Sequence, residues 1–452
     1  MQRGEGSPRN NTAVVPPHDD RFNHESSPGF SYIKRMRDIL SRRPLRFVFA
    51  ANVISMLGSG MNAAAVAWYI LQATHSEVAL GTFAVLQTLP AMLMLPFTGV
   101  IIDREDRRLL VMWLDGLRAV IIAIVAILAF RHRVQVWQLY LMNTLVAAGF
   151  WMFWPTLTAL IQELTPEGQF VQSNTFLLAG VQGGFLIAGA IVGFMYNHIG
   201  LGGVLLVDVS TYVLSFCCYF AVRRGRHVVL RPAELRRDIV AAENQFERFW
   251  RELREGLHFL RDRRPVILLG ISWALFLGAM VTGVVVTPSL SERIFHAGAV
   301  GYGWLNAGWG SGAFLSAAYA PALIATLGGR RSVAFSMSVL AVCMVCAPVS
   351  HWLAAAITVY FLMGSARGVG GIAMNTSLME MVPQHLMGRV QNTFYFFGTF
   401  LQLVLALAVG AVAHKVSLVV AFAILASVYG FSFVAASWPV GVPEEEASLA
   451  NK

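Results

Sequence analysis

The chain of 452 residues is 56% hydrophobic and only 13% charged, against about 25% charged in an ordinary globular domain, and its mean hydropathy is +0.60. A soluble fold cannot cover that much apolar surface, so a soluble enzyme or nucleic-acid binder is excluded. The net charge of +9 sits beside apolar runs, where it marks membrane topology rather than a nucleic-acid partner.

Residues 1–29 are rich in Pro, Ser, Asn and Asp and read as disordered. The polar residues 1–44 carry no secretory signal pattern. From Phe30, apolar Ile33, Met36 and Leu40 recur at helical spacing opposite Lys34, Arg35 and Arg37, the pattern of a short amphipathic helix on an anionic membrane surface. A transmembrane helix needs about 20 apolar residues. Such runs lie near 46–72, 78–102, 109–130, 135–161, 171–197 and 201–222, then near 265–290, 300–327, 332–349, 351–378, 390–413 and 417–438.

The fold expected is therefore an all-α membrane protein of twelve spans in two six-helix bundles, 45–222 and 265–438. A tail (1–44), a linker (223–264) and a C-terminal tail (439–452) complete it. The linker holds a second basic amphipathic helix, with Phe246, Phe249, Trp250, Leu253, Leu257 and Leu260 on one face; both such helices read as orientation devices.

Even parity puts both termini on one side. With the N-terminus inside, the inner segments collect Arg104, Arg107, Arg108, a dozen linker arginines, Arg330, Arg331 and Arg389, and the outer loops hold Arg131, Arg133, Arg293 and Lys415. Both termini are thus expected to be cytoplasmic. The four cysteines form neither a disulfide framework nor a metal site. No phosphate loop, nucleotide fingerprint or metal cluster is present, so no cofactor is implied and energy must come from a gradient.

The halves repeat. Glu163-x-x-Pro166 precedes Val171-Gln172-Ser173-Asn174-Thr175-Phe176, and about 217 residues later Glu380-x-x-Pro383 precedes Val390-Gln391-Asn392-Thr393-Phe394. Leu277-Gly278-Ala279-Met280 likewise answers Leu57-Gly58-Ser59-Gly60-Met61. Parallel duplicated halves place a binding site between them at the bilayer midplane, which points to a transporter.

Between the second and third runs stands Gly99-Val100-Ile101-Ile102-Asp103-Arg104-Glu105-Asp106-Arg107-Arg108. It resembles the loop signature of the major facilitator superfamily, G-x-x-x-D-R-x-G-R-R/K. The resemblance runs over 45–438 and is nearest to the branch of bacterial drug, macrolide and siderophore exporters. Asp115-x-x-Arg118, Trp154-Pro155-Thr156 and Gly388-Arg389-Val390 also carry it.

It implies that Gly99 lets spans 2 and 11 approach, and that Asp103, Arg104, Arg107 and Arg108 form a conformational latch at the cytoplasmic face. Asp106 stands where the pattern has Gly, and the matching loop Gly328-Gly329-Arg330-Arg331 has no acid. Helix 5 reads Gly184-Phe185-Leu186-Ile187-Ala188-Gly189 and lacks the proline of the antiporter pattern, so proton antiport is unsigned there. The resemblance further implies a bacterial-type cytoplasmic membrane location, membrane lipids around a monomer, and a cavity lined by spans 1, 4, 7 and 10. Its residues would be Asn52, Ser55 and Asn62; Asn143, Trp151 and Trp154; Trp273, Phe276 and Met280; and Met363, Met374 and Asn375.

Ionisable groups inside spans are costly and mark function. Asp115 and Arg118 can pair at i, i+3 and are expected to reinforce the latch, Asp115 being also a candidate proton carrier. Asp208 has no basic neighbour in sequence and is the first candidate for proton coupling, unless it is solvated or bonded to Ser210, Thr211 or a tyrosine. Arg367, about 20 Å along the helix from Glu380, lies near the midplane. It reads as a counter-charge for an anionic substrate or for a carboxylate of the other half. The expected activity is export of a bulky amphipathic compound in exchange for protons. Lipid translocation, facilitated diffusion, uptake and a non-transporting receptor are the alternatives.

Overall fold

The computed structural model describes residues 41–439 apart from 105, 166–169, 223–244, 262 and 281. The amphipathic segment at Phe30 lies outside the described residues, as do the side chains of Gly99, Asp103, Arg104, Phe246 and Phe249. All regular structure among the described residues is helical. The first half comprises α1 (Arg43–Thr74), α2 (Glu77–Arg104), α3 (Arg107–Phe130), α4 (Val136–Leu164) and α5 (Phe170–Ala221). The linker helix is α6 (Gln245–Arg261). The second half comprises α7 (Arg264–Met280), α8 (Gly283–Ser289) with a π turn (Leu290–Ile294), α9 (Gly298–Leu327), α10 (Gly329–Val349), α11 (Leu353–Met381), α12 (Gln384–Lys415) and α13 (Leu418–Ser437).

Among the described residues ten helices are long and apolar enough to span a bilayer, and the bent pair Arg264–Met280 plus Gly283–Ile294, taken as one span, makes an eleventh. A straight α5 of 52 residues would be about 78 Å long, far beyond a hydrocarbon core of about 30 Å. It does not run straight. Gly60 of α1 packs on Ala188, whereas Asn62 bonds Asp208, so residues far apart along α5 share one level of α1. Between them Gly200 has φ +63° and ψ −174°, a conformation that glycine reaches without a Cβ penalty. The chain reverses there, and counting α5 as two arms brings the passes to twelve.

The two halves repeat each other in detail. Arg108, in the first turn of α3, donates Nε to the Tyr219 carbonyl (2.8 Å) and Nη2 to that of Phe220 (2.7 Å). Arg330, in the first turn of α10, donates to the carbonyls of Ala436 (2.8 Å) and Trp438. Each arginine satisfies orphan carbonyls at the end of the last span of its half, where the helix dipole also favours a cation.

The linker helix packs in part on α12: Trp250 meets Phe396 edge-on (6.2 Å between centroids), Gly256 sits against Thr393 and the Arg389 carbonyl, and Glu255 pairs with Arg389 at 2.7 Å, while Trp250 and Leu257 stay exposed. Leu253 and Leu260 are buried.

Candidate functional site

The first half encloses a buried ionic cluster. Asp115, Arg118 and Asp208 are almost fully buried, and four helices, α1, α3, α4 and α5, meet around them. The Arg118 guanidinium pairs with the Asp115 carboxylate one turn earlier. It lies over Phe153 of α4 at 4.4 Å and over Tyr212 of α5 at 4.7 Å. Ser215 donates to the other Asp115 oxygen at 2.6 Å.

Asp208, one turn before Tyr212, accepts from Asn62 Nδ2 at 2.6 Å and from the Thr211 hydroxyl at 3.4 Å. The Tyr212 hydroxyl contacts both Arg118 (3.5 Å) and Ser59 of α1 (2.9 Å). Gly58 makes this possible, because a Cβ there would stand 2.3 Å from Asp208 Oδ1. Two carboxylates and one guanidinium therefore share one buried site.

The residues between α2 and α3 and at the start of α3 engage other partners. Arg107 donates to the Ala159 carbonyl at 3.4 Å and stands 3.9 Å from Glu163, while Arg108 caps span 6. Asp115 and Arg118 bond inward, to α4 and α5, and not to these arginines. The carboxylate that opens α3 is Asp106, which accepts from the backbone N–H groups of Arg108 (3.0 Å) and Leu109 (3.2 Å). The residue that departs from the loop pattern is thus the N-cap, and Asp103 belongs to the last turn of α2.

In the second half Arg367 is the middle residue of α11. It stacks over Trp309 at 4.9 Å and its Nε reaches Met280 Sδ at 3.3 Å. Gly371, one turn on, faces open space. One turn further Asn375 accepts from Gln391 Nε2 at 3.3 Å. Arg367, Met280 and Asn375 are half-buried.

Apart from Trp151 and Trp154, the rest of the expected cavity set is more enclosed. Asn52 donates to the Leu177 carbonyl and Asn143 to that of Phe83. Ser55, Trp273, Phe276, Met363 and Met374 are packed in the core, Trp151 is exposed and Trp154 is half-buried.

One feature escaped the sequence reading. Glu77, fully buried at the start of α2, pairs with Arg293 at 2.9 Å and with His414 at 3.2 Å, both from the second half. Nearby, Trp68 stacks on Tyr302. Glycines let backbones touch on both flanks: Gly81 and Gly410 between α2 and α12, Gly193 and Gly303 between α5 and α9. This closes the halves together at the end away from the termini, a seam of small residues as membrane helices prefer. The only sequence signal was an acid opening an apolar run; its partners lie 216 and 337 residues away.

Two helical halves of parallel topology, meeting at a seam and carrying buried charges, define a multi-pass membrane protein of duplicated fold. The chain matches the Major Facilitator Superfamily over residues 48–404, and it belongs to that family.

Similar proteins include macrolide efflux protein A of Streptococcus pyogenes, 21% identical over 55% of this chain and 59% of that protein. The chain thus spans about three fifths of the length of the macrolide efflux proteins it matches. The MFS-type transporter YfiS of Bacillus subtilis is 24% identical over 77% of this chain and 82% of that one. Among solved structures, a bacterial homologue of the iron transporter ferroportin in an inward-facing state aligns with a TM-score of 0.68 at 14% identity, covering 88% of this chain and 99% of that one. The nucleoside transporter NupG gives 0.65 at 13%, covering 87% and 100%. At such identities the structures share the fold alone.

Proposed function

We propose that this protein is a secondary exporter that moves a bulky amphipathic organic compound out across the bacterial inner membrane, by alternating access and in exchange for protons. Both termini face the cytoplasm in this reading, and the Glu77 seam faces outward. The arginine-rich segments on the terminal side support that orientation, and likeness to macrolide efflux proteins supports export.

The observation that carries the coupling is the Asp115–Arg118–Asp208 cluster. With both carboxylates ionised it bears one negative charge in a site without water access, and a single proton neutralises it. Asp208 is the carrier we favour, because no guanidinium bonds it directly. Its partner suits both states: the Asn62 amide donates N–H to the carboxylate, and after rotation its oxygen accepts from the neutral acid. On the substrate side we assign Met280, Arg367 and Asn375, the members of the expected cavity set that are only half-buried and sit near the open face of Gly371.

The test is reconstitution in liposomes with an internal pH dye and a panel of lipophilic compounds. Compound-dependent proton flux that Asp208→Asn abolishes is the expected result. Compound movement without proton flux would sink the exchange mechanism and leave facilitated diffusion or lipid translocation.

A further inference from the structure

Arg367 lies fourteen residues from each end of α11, about 21 Å in either direction, at the midplane of a bilayer. A guanidinium there needs an anion or a network of acceptors. Among the described residues its side-chain partners are the Met280 thioether, a weak acceptor, the aromatic face of Trp309 and the nearby Tyr429 phenol, none of them an anion.

A counter-ion from its own half is ruled out by composition. Residues 265–438 contain two acids, Glu292 and Glu380. Glu292 sits in the π turn at one end of the bundle, and Glu380 is in the last turn of α11, about 20 Å from Arg367.

The other half offers little more. Its acids at membrane depth, Asp115 and Asp208, are fully buried and committed to Arg118, Ser215 and Asn62. Glu77 is held at the seam by Arg293 and His414.

We infer that Arg367 is the recognition site for the acidic group (carboxylate, sulfonate or phosphate) of an amphipathic organic anion whose apolar body lies along Met280 and Trp309. The guanidinium has a planar fork of donors matched to such groups. Its stacking on Trp309 fixes the plane, and Gly371 leaves room for the ligand beside it. This deepens the transport reading and rests on it for the word substrate, but binding itself requires neither protons nor a direction of transport.

The experiment uses two amphipathic ions with the same apolar body and opposite charge, 1-pyrenebutyrate and 1-pyrenebutylammonium. Each is titrated calorimetrically against the full chain in detergent, with no gradient present. Wild type is expected to bind the carboxylate about tenfold or more tightly than the ammonium, as one charge-assisted contact implies. Arg367→Gln is expected to lose that preference, and Arg367→Lys to keep part of it.

Equal binding of the two ions by wild type, or a preference that survives in Arg367→Gln, overturns the assignment, whatever the liposome experiment says about export. Should Arg367→Gln not fold, the wild-type comparison and Arg367→Lys still decide. Repeating the titration with added phosphatidylglycerol identifies the source of the anion. Displacement of 1-pyrenebutyrate from wild type assigns the site to an anionic lipid headgroup, and retained binding assigns it to a soluble organic acid; both keep the anion site.

Discussion

Arg118 is the residue on which the first half turns. It is the largest fully buried side chain described, and it holds Asp115 while lying between two aromatic rings. Removing one partner of a buried pair leaves an uncompensated charge, at a cost of about 3–5 kcal/mol, whereas removing both costs far less. Arg118→Met is therefore expected to lower thermal stability sharply in detergent, and Arg118→Met with Asp115→Leu to recover much of the loss. Equal damage in the single and double variants would show that the arginine acts by packing alone. The i, i+3 pairing was legible in the sequence. Its junction with Asp208 was not, because nothing local brings α3, α4 and α5 to one level of the bundle.

Helix against helix, the second half depends on contact between backbones. A Cβ on Gly364 of α11 would stand 1.9 Å from the Trp309 carbonyl oxygen of α9, and backbone cannot yield as a side-chain tip can. Gly364→Leu should destabilise the protein by at least about 1–3 kcal/mol, read as a fall in the unfolding midpoint. Gly371, seven residues on, faces open space. Gly371→Leu is expected to leave the midpoint near wild type while impairing compound transport, because the new side chain fills the space beside Arg367. A matched fall in both variants would contradict this division of the helix into a packed face and an open one.

The linker helix makes the same point in another way. Its amphipathic pattern was plain, but periodicity says only that a face is apolar, and α12 covers part of it.

Across the whole molecule, the two halves meet at the seam around Glu77. Both of its partners come from the other half, so separating the halves at this end breaks both contacts at once. Arg293 and His414 are about 40% exposed, which limits the contribution to about 1–2 kcal/mol, enough to shift a two-state population about tenfold. Spin labels on exposed His132 and His351, one from each half, should report longer distances in Glu77→Gln than in wild type. An unchanged distribution would mean that the glycine contacts alone hold this end shut.

By itself the sequence determined what needs only local chemistry and length. Apolar runs long enough to cross a bilayer gave the spans, a repeat at fixed offset gave two halves, and one loop motif gave the family. The tertiary structure alone decided which buried charges meet. It joined Asp208 to Asn62, tied Glu77 to residues more than 200 positions away, and left Arg367 with no acid among the described residues. Pairing inside a membrane is a matter of depth and facing, and the positions that share a depth in a bundle of antiparallel helices are scattered along the chain.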